Sequence, residues 1–179
     1  MTIQRYLLAL VVMAIVSSSV AAFEPDTNDE MQLDAAKAII EIKKADPEIE
    51  KFFNDSAGYA VFPSVGKGGI GIGGAYGEGL VIANGQVIGE TTLTQVSIGL
   101  QLGGQVYSEF IFFKDDVAMK QFQRGNYELG AQASAVAATV GASADADYDK
   151  GVAIFTHTGG GLMYEASVGG QKFKYQPVQ

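Results

Sequence analysis

Glycine is absent from the first 57 residues of this 179-residue chain and accounts for 23 of the remaining 122. That is about 19% of the second stretch, against a usual share of about 7%. Glycine weakens helices but accepts tight turns and close backbone contacts. The chain therefore predicts a helical segment, residues 23–57, followed by a glycine-rich β part, residues 58–179, of the same single domain.

Residues 1–22 have the pattern of a cleavable secretory signal. Arg5 precedes an apolar run of eleven residues, 6–16, and small residues follow as far as Ala22. Eleven apolar residues are fewer than the ~20 that span a bilayer, and Val20 and Ala22 suit a cleavage site. We expect cleavage after Ala22 and an exported protein, periplasmic or secreted, that is peripheral on a membrane if it binds one.

Charge and composition argue against several classes of function. Removing Arg5 with the signal leaves 11 Lys and Arg against 20 Asp and Glu, a net charge of −9. Nucleic-acid binding needs a basic footprint and is not expected. The chain has no Cys and one His, His157, so a thiolate or histidine-rich metal site is not expected either.

Residues 23–57 predict two helices. Thr27 and Glu30 have the spacing of a capping box, and Asp46 followed by Pro47 predicts the start of the second helix. An apolar stripe runs through both, beside a lysine row formed by Lys37, Lys44 and Lys51. Either the helices lie on a sheet with the lysines in solvent, or the segment meets a membrane with the lysines at the headgroups. The first interpretation is favoured, because most amphipathic helices bury their apolar face in their own domain.

From Gly58 onward the hydrophobic period is two, which predicts strands. One strand has an almost bare face, made of Gly69, Gly71, Gly73 and Ala75. Asn84-Gly85 predicts a type I′ hairpin. Further strands are expected over residues 96–103, 131–148, 152–156 and 162–168, with a turn at 159–161 and one helix from Asp115 or Asp116 to Gly125.

These elements predict an α+β fold. N-terminal helices pack on a glycine-rich, coiled antiparallel sheet that forms a sandwich or partial barrel, and one further helix lies between strands.

No catalytic motif has the context that its chemistry requires. Residues 66–71 match G-x-G-x-x-G, but a strand-like repeat follows where a dinucleotide site needs a helix. His157 has no identifiable serine or orienting acid. Asp145, Asp147 and Asp149 alternate but lack the glycine and glutamate positions of a calcium loop. We expect no catalytic residues, no metal and no cofactor.

Six glycine- and aromatic-rich segments together are highly specific for one family. They are residues 57–63, 65–75, 101–105, 112–114, 130–134 and 160–165. Through them the chain resembles the SYLF lipid-binding domain family, also called an actin-binding domain family after its yeast members, over roughly residues 31–175.

The resemblance implies a non-enzymatic domain that associates with lipid headgroups, and in eukaryotic relatives also with actin, through an amphipathic N-terminal segment and basic residues. The matching lysines are Lys37, Lys43, Lys44, Lys51 and Lys67. Export would separate the protein from actin, so the expected partner is a phospholipid surface. Two alternatives stay open: a carrier that holds an acyl chain against the bare face, and a structural or partner-binding envelope protein.

Overall fold

A computed structural model describes residues 21–99, 104–159 and 168–178, and it confirms the α+β class. Its elements in chain order are α1 Glu30–Ala45, a 3₁₀ turn Pro47–Ile49, α2 Glu50–Asp55, β1 Gly58–Ala83, β2 Gln86–Gly99, β3 Gly104–Phe113, α3 Asp116–Phe122, β4 Tyr127–Glu128, β5 Val136–Ala137, β6 Val152–His157 and β7 Lys172–Pro177.

Helix α1 begins two residues later than its capping box predicts. Its N-cap is Asp29, whose side chain accepts a hydrogen bond from the Gln32 backbone N–H at 3.1 Å. The Gln32 side chain also donates to the same carboxylate at 3.0 Å. Asp29 therefore takes the capping role that was predicted for Thr27. The helix predicted at Pro47 is present, as the 3₁₀ turn that leads into α2.

The strands form one curled sheet in the order β4-β7-β2-β1-β3-β6-β5. All its pairings are antiparallel among the described strands except β5 with β6, which is parallel. The predicted hairpin joins β1 to β2, with φ of 51° at Asn84 and 75° at Gly85. Both central residues of a type I′ turn need positive φ, so the Asn-Gly pair explains this connection.

Strand β1 folds back on itself, although its alternation predicts a continuous strand. Its first arm, 58–68, pairs with β3, and its second arm, 71–83, pairs with β2. A Cβ added at Gly79 would lie 2.7 Å from the Phe62 ring, and one added at Gly77 would lie 2.9 Å from the Val65 side chain. Glycine at these two positions lets the arms approach each other.

The sheet has a core on each of its faces. The inner face packs with α3 around residues that include Phe62, Leu93, Ile111, Phe122 and Phe173. The outer face is covered by α1 and α2, whose buried residues pack on strand positions Tyr59, Val61, Leu80, Ile82, Phe110, Phe112 and Phe155. Helices on one face of an antiparallel sheet are a standard way to bury both elements.

The predicted strand over residues 131–148 is wrong except at Val136–Ala137. Turns fill most of this stretch, because the backbone N–H groups in them donate to the distant Asp46 carboxylate and to nearby carbonyl groups, and not to a neighbouring strand. The buried Asp46 carboxylate accepts from Gly141 N at 3.2 Å and from Ser143 N at 2.7 Å. Residues 162–167 of the strand predicted over 162–168, residues 160–161 of the predicted turn and residues 100–103 of the strand predicted over 96–103 lie outside the described residues.

Candidate functional site

Helix α1 has two different faces. Its apolar stripe, Ala35, Ala38, Ile39 and Ile42, is buried on the sheet, as the favoured interpretation predicts. The opposite face is formed by Leu33, Lys37, Ile40 and Lys44, at spacings of four, three and four residues that bring side chains together on a helix. Leu33 is 42% exposed and Ile40 is 52% exposed. An exposed aliphatic pair therefore lies beside two exposed lysines.

The other two lysines of the helical segment are held by the protein itself. Lys43 forms a salt bridge with Glu50 at 2.9 Å, and its ammonium lies 4.4 Å from the centre of the Phe53 ring. Lys51 donates to the Ala144 carbonyl at 2.7 Å and lies over the Phe52 ring. These contacts join α2 to the rest of the domain. Among the predicted lysines, Lys37 and Lys44 thus offer the more accessible charge.

Lys67 does not join the α1 surface. It lies on the first arm of β1, half buried, and burial lowers its pKa although the Glu109 carboxylate raises it. Glu109 is fully buried on the inner face, and burial raises its pKa to about 7. The Gln171 amide donates to Glu109 Oε2 at 2.9 Å and, like Lys67, favours the charged form. Lys67 therefore belongs to an interior polar cluster.

This interior cluster has unused hydrogen-bonding capacity. Glu109 Oε1, the Tyr107 hydroxyl and Gln171 Oε1 are buried without a protein partner of good geometry. The Tyr107 hydroxyl lies close enough to Glu109 for the carboxylate to raise its pKa, in addition to the larger effect of burial. A buried carboxyl with unpaired neighbours carries an energetic cost that grows when it ionises.

The bare glycine face does not form an open platform. Ala75 is 6% exposed and belongs to the inner core, and Gly69 has a φ of 153° that few other residues adopt. Gly73 is half buried on the same strand, and Gly71 pairs with Gly99. Further along this face, Gly77 and Gly79 contact the first arm of β1. Beside Gly77 and Gly79, the first arm of β1 therefore occupies the face on which the carrier interpretation placed an acyl chain.

A cleft of about 610 Å³ opens beside α1. Residues 21–25, α1, α2 and the β1–β2 hairpin line it, and its apolar lining includes Ile39, Ile40, Phe53 and Ile82. The Lys43–Glu50 salt bridge lies at the same cleft. Its volume falls in the range of small-molecule pockets.

The described residues offer contact surfaces and few groups for chemistry. Within them, no three His, Asp or Glu side chains come together as a metal site requires. His157 ends β6, and the Ser108 hydroxyl donates to its backbone carbonyl at 3.3 Å. In the same part of the chain, no helix combines the length and the apolarity needed to cross a bilayer.

Sequence reasoning missed two features of this surface. Leu33 and Ile40 are seven residues apart and alternate with Lys37 and Lys44, a pattern that the wider apolar stripe obscured. Glu109 is the one charged residue between Tyr107 and Phe113, and a lone acid in an apolar strand is a signal for a buried polar group. Both signals are visible in the sequence once the strand and helix faces are known.

The helices on a curled sheet, with exposed contact residues on α1, define a binding domain. Residues 94–176 match the family model described as "Ysc84: Las17-binding protein actin regulator". This match to the Ysc84 family, whose domain is the SYLF domain, confirms the resemblance seen in the sequence over that part of the chain. The family is one of lipid- or actin-binding domains.

A curated relative supports the same assignment. "Beta cell expansion factor A" of Aeromonas veronii is 28% identical to this chain over 141 residues. The aligned part is 78% of this chain and 53% of the relative, so the chain spans about half the length of that protein.

Proposed function

We propose that this chain is a non-enzymatic peripheral lipid-binding domain of the cell envelope that associates with phospholipid headgroups. The observation that carries the proposal is the exposed face of α1, where Leu33 and Ile40 lie beside Lys37 and Lys44. Lysines at headgroup level with aliphatic side chains directed into the acyl boundary are typical of interfacial helices. The match of residues 94–176 to the Ysc84 family supports lipid or actin as the binding partner, and the predicted export favours lipid.

The charge of the whole chain limits this interaction to short range. The net charge is −8, but at physiological salt the repulsion between these charges and an anionic membrane is largely screened beyond a Debye length of about 8 Å. Within that distance each lysine contributes about 1 kcal/mol toward an anionic surface. Lys37 and Lys44 together therefore contribute about 2 kcal/mol, or about 30-fold in affinity.

Co-sedimentation with vesicles tests the proposal. The protein, as the chain from Phe23, is mixed with vesicles of phosphatidylglycerol and phosphatidylcholine, and bound protein is measured against lipid concentration. We expect the Lys37→Glu/Lys44→Glu variant to bind at least about tenfold more weakly. The control with the same change in net charge is Lys120→Glu/Lys174→Glu, at two exposed lysines outside α1, and we expect it to bind far more like the original protein.

Two results would count against the proposal. Equal losses in the two double variants would show that net charge, and not the α1 surface, controls binding. Sedimentation with actin filaments in a parallel experiment, with none on vesicles, would favour the other partner of this family. Circular dichroism spectra of every variant exclude unfolding as the cause of a loss.

The cleft favours a second candidate function, an exported carrier of an acyl chain or another small apolar ligand. Its volume of about 610 Å³ and its apolar lining suit such a ligand better than the glycine face, whose Ala75 belongs to the core. Native mass spectrometry of protein purified from its own compartment would show the bound mass. A mass equal to that of the chain alone would contradict the carrier.

A further inference from the structure

The reversal within β1 lies at one end of the sheet. The pairing of β1 with β3 ends at Gly68, which pairs with Gly104, and its pairing with β2 begins at Gly71, which pairs with Gly99. The reversal within β1 therefore lies beside the end of β2 at Gly99 and the start of β3 at Gly104. We call this end the glycine tip, defined by residues 66–76, 94–99 and 104–106.

The outer face of the glycine tip exposes aliphatic side chains on neighbouring strands. Ile72 is 71% exposed, Val96 is 79% exposed and Val106 is 67% exposed. Val96 pairs directly with Gly74, and Ile72 lies two residues before that glycine on the same face. Val106 pairs with Gly66 on the other arm of β1. Val96 and Val106 therefore each lie opposite a glycine, which has no side chain to cover them.

Helices cover the same outer face only up to the start of the tip. The first turns of α1 reach Tyr76 and Glu78, where Met31 and Asp34 share a small cleft with them. Leu80 and Ile82, further from the tip, are buried under the helices. No described residue buries Ile72 or Val96 as the helices bury Leu80 and Ile82.

Lys67, which belongs to the interior polar cluster, is the one charged residue in the sequence of the glycine tip. Residues 68–77 and 91–108 contain no Asp, Glu, Lys or Arg, although 18% of the chain is charged. The first charge beyond the tip on β1 is Glu78, whose carboxylate accepts a hydrogen bond from the Tyr76 hydroxyl at 2.7 Å. Tyrosine with an apolar ring and a bonded hydroxyl is typical of the boundary between a membrane and water.

We propose that the glycine tip enters the acyl region of a phospholipid bilayer while the exposed face of α1 lies at the headgroups. This rests on the proposed function and assigns the part of the protein that contacts lipid chains. The buried stripe of α1 lies on the outer face of the sheet, and Ile72 and Val96 are exposed on that same face beyond the helix.

A bilayer fits the tip better than a protein partner does. Protein interfaces are enriched in large aromatic residues and arginine that fill complementary pockets, whereas Ile72, Val96 and Val106 on the tip are aliphatic. Lipid chains adapt to such a surface and penalise charge. Within the described residues, the tip segments of β2 and β3 each pair with β1, which satisfies on that side the backbone groups that a bilayer would leave unpaired.

The chain has no Trp, so one introduced tryptophan reports on its own position alone. The test variant is Val96→Trp at the tip, and the matched control is Val117→Trp on α3, where the valine is 65% exposed. Fluorescence is recorded with phosphatidylglycerol and phosphatidylcholine vesicles, with and without brominated acyl chains. We expect Val96→Trp to shift to the blue and to be quenched by the brominated lipid, and Val117→Trp to do neither.

A second pair of variants measures the contribution of the tip to affinity. Ile72→Thr/Val96→Thr keeps β-branched side chains and removes apolar surface, and we expect about tenfold weaker vesicle binding or more. This loss should be similar at low and high salt, whereas the loss from Lys37→Glu/Lys44→Glu should shrink as salt rises. The control is Val117→Thr, which should bind like the original protein.

The outcomes separate the two proposals. If the original protein sediments with vesicles, and Val96→Trp is neither shifted nor quenched while Ile72→Thr/Val96→Thr binds unchanged, tip insertion is wrong and headgroup binding stands. A blue shift of Val96→Trp that depends on protein concentration and not on lipid would identify a second copy of the chain as the occupant and overturn the inference. Absence of vesicle binding by the original protein would overturn both.

Discussion

The carboxyl group of Glu109 makes the stability of the domain depend on pH, and Glu109→Gln should remove that dependence. Burial raises the pKa of Glu109 in the folded protein to about 7, against 4.5 for a solvated glutamate. The folded state therefore binds more protons than the unfolded state between these two values. Stability is then highest below pH 4.5 with respect to this group and falls as pH rises through 7.

The size of the effect follows from the difference in pKa. A difference of about 2.5 units corresponds to about 3 kcal/mol once both states are ionised, and to about 2 kcal/mol at pH 6. Glutamine has nearly the same shape and no charge to bury. Glu109→Gln should therefore be about 3 kcal/mol more stable than the original protein at pH 8, and within about 1 kcal/mol of it at pH 5.

Urea unfolding followed by circular dichroism at pH 5, 6, 7 and 8 measures this difference. Other carboxylates titrate in both proteins, so the informative quantity is the free energy of unfolding of Glu109→Gln minus that of the original protein. Glu90→Gln is the control, because Glu90 is exposed on β2. A difference that stays constant from pH 5 to pH 8, or one that grows toward acid pH, would refute the assignment of a buried, ionisable Glu109.

Two further predictions concern the packing at Gly79 and the hydrogen bonds that the Asp46 carboxylate accepts from the backbone at residues 141–143, which we call the Asp46 clamp. Gly79→Ala should lower the free energy of unfolding by about 1–3 kcal/mol, since the added Cβ would meet the Phe62 ring. Gly66→Ala is the control, because an added Cβ there has no atom within 4 Å, and its free energy of unfolding should stay within about 1 kcal/mol of the original. Equal effects of the two variants in thermal unfolding would contradict the fold-back of β1. Asp46→Ala leaves the buried Ser143 N–H without its acceptor. The substitution should therefore lower the free energy of unfolding by about 1–3 kcal/mol and raise the rate of amide hydrogen exchange at residues 141–143. Unchanged exchange there would contradict the Asp46 clamp.

Local sequence signals predicted the helical segment and the glycine-rich β part well. Glycine-free sequence formed the helices, and Asn84-Gly85 formed the hairpin with positive φ at both positions, because helix propensity and turn geometry depend on neighbouring residues. The reversal within β1 escaped prediction because alternation continues through it. Contacts between Gly79 and Phe62, 17 residues apart in the sequence, reveal the reversal.

The candidate surface was predicted less completely, also for physical reasons. Lysine spacing identifies a row but does not show that Lys43 is paired with Glu50 or that Lys51 donates to the Ala144 carbonyl. The turns at residues 141–143 depend on Asp46, 95 residues before Gly141. Such partners are set by the tertiary structure, and alanine-rich sequence alone suggested a strand.

The central place of β1 has a consequence for how this family is divided into units. Residues 94–176 match the family model, yet β1, at Gly58–Ala83, lies between β2 and β3 in the sheet. A fragment that began at Thr94 would leave β3 without a neighbour on that side and remove the strand that the helices cover. We therefore expect the folding unit to be larger than the segment recognised by comparison and to extend back through β1 to the helices packed on it.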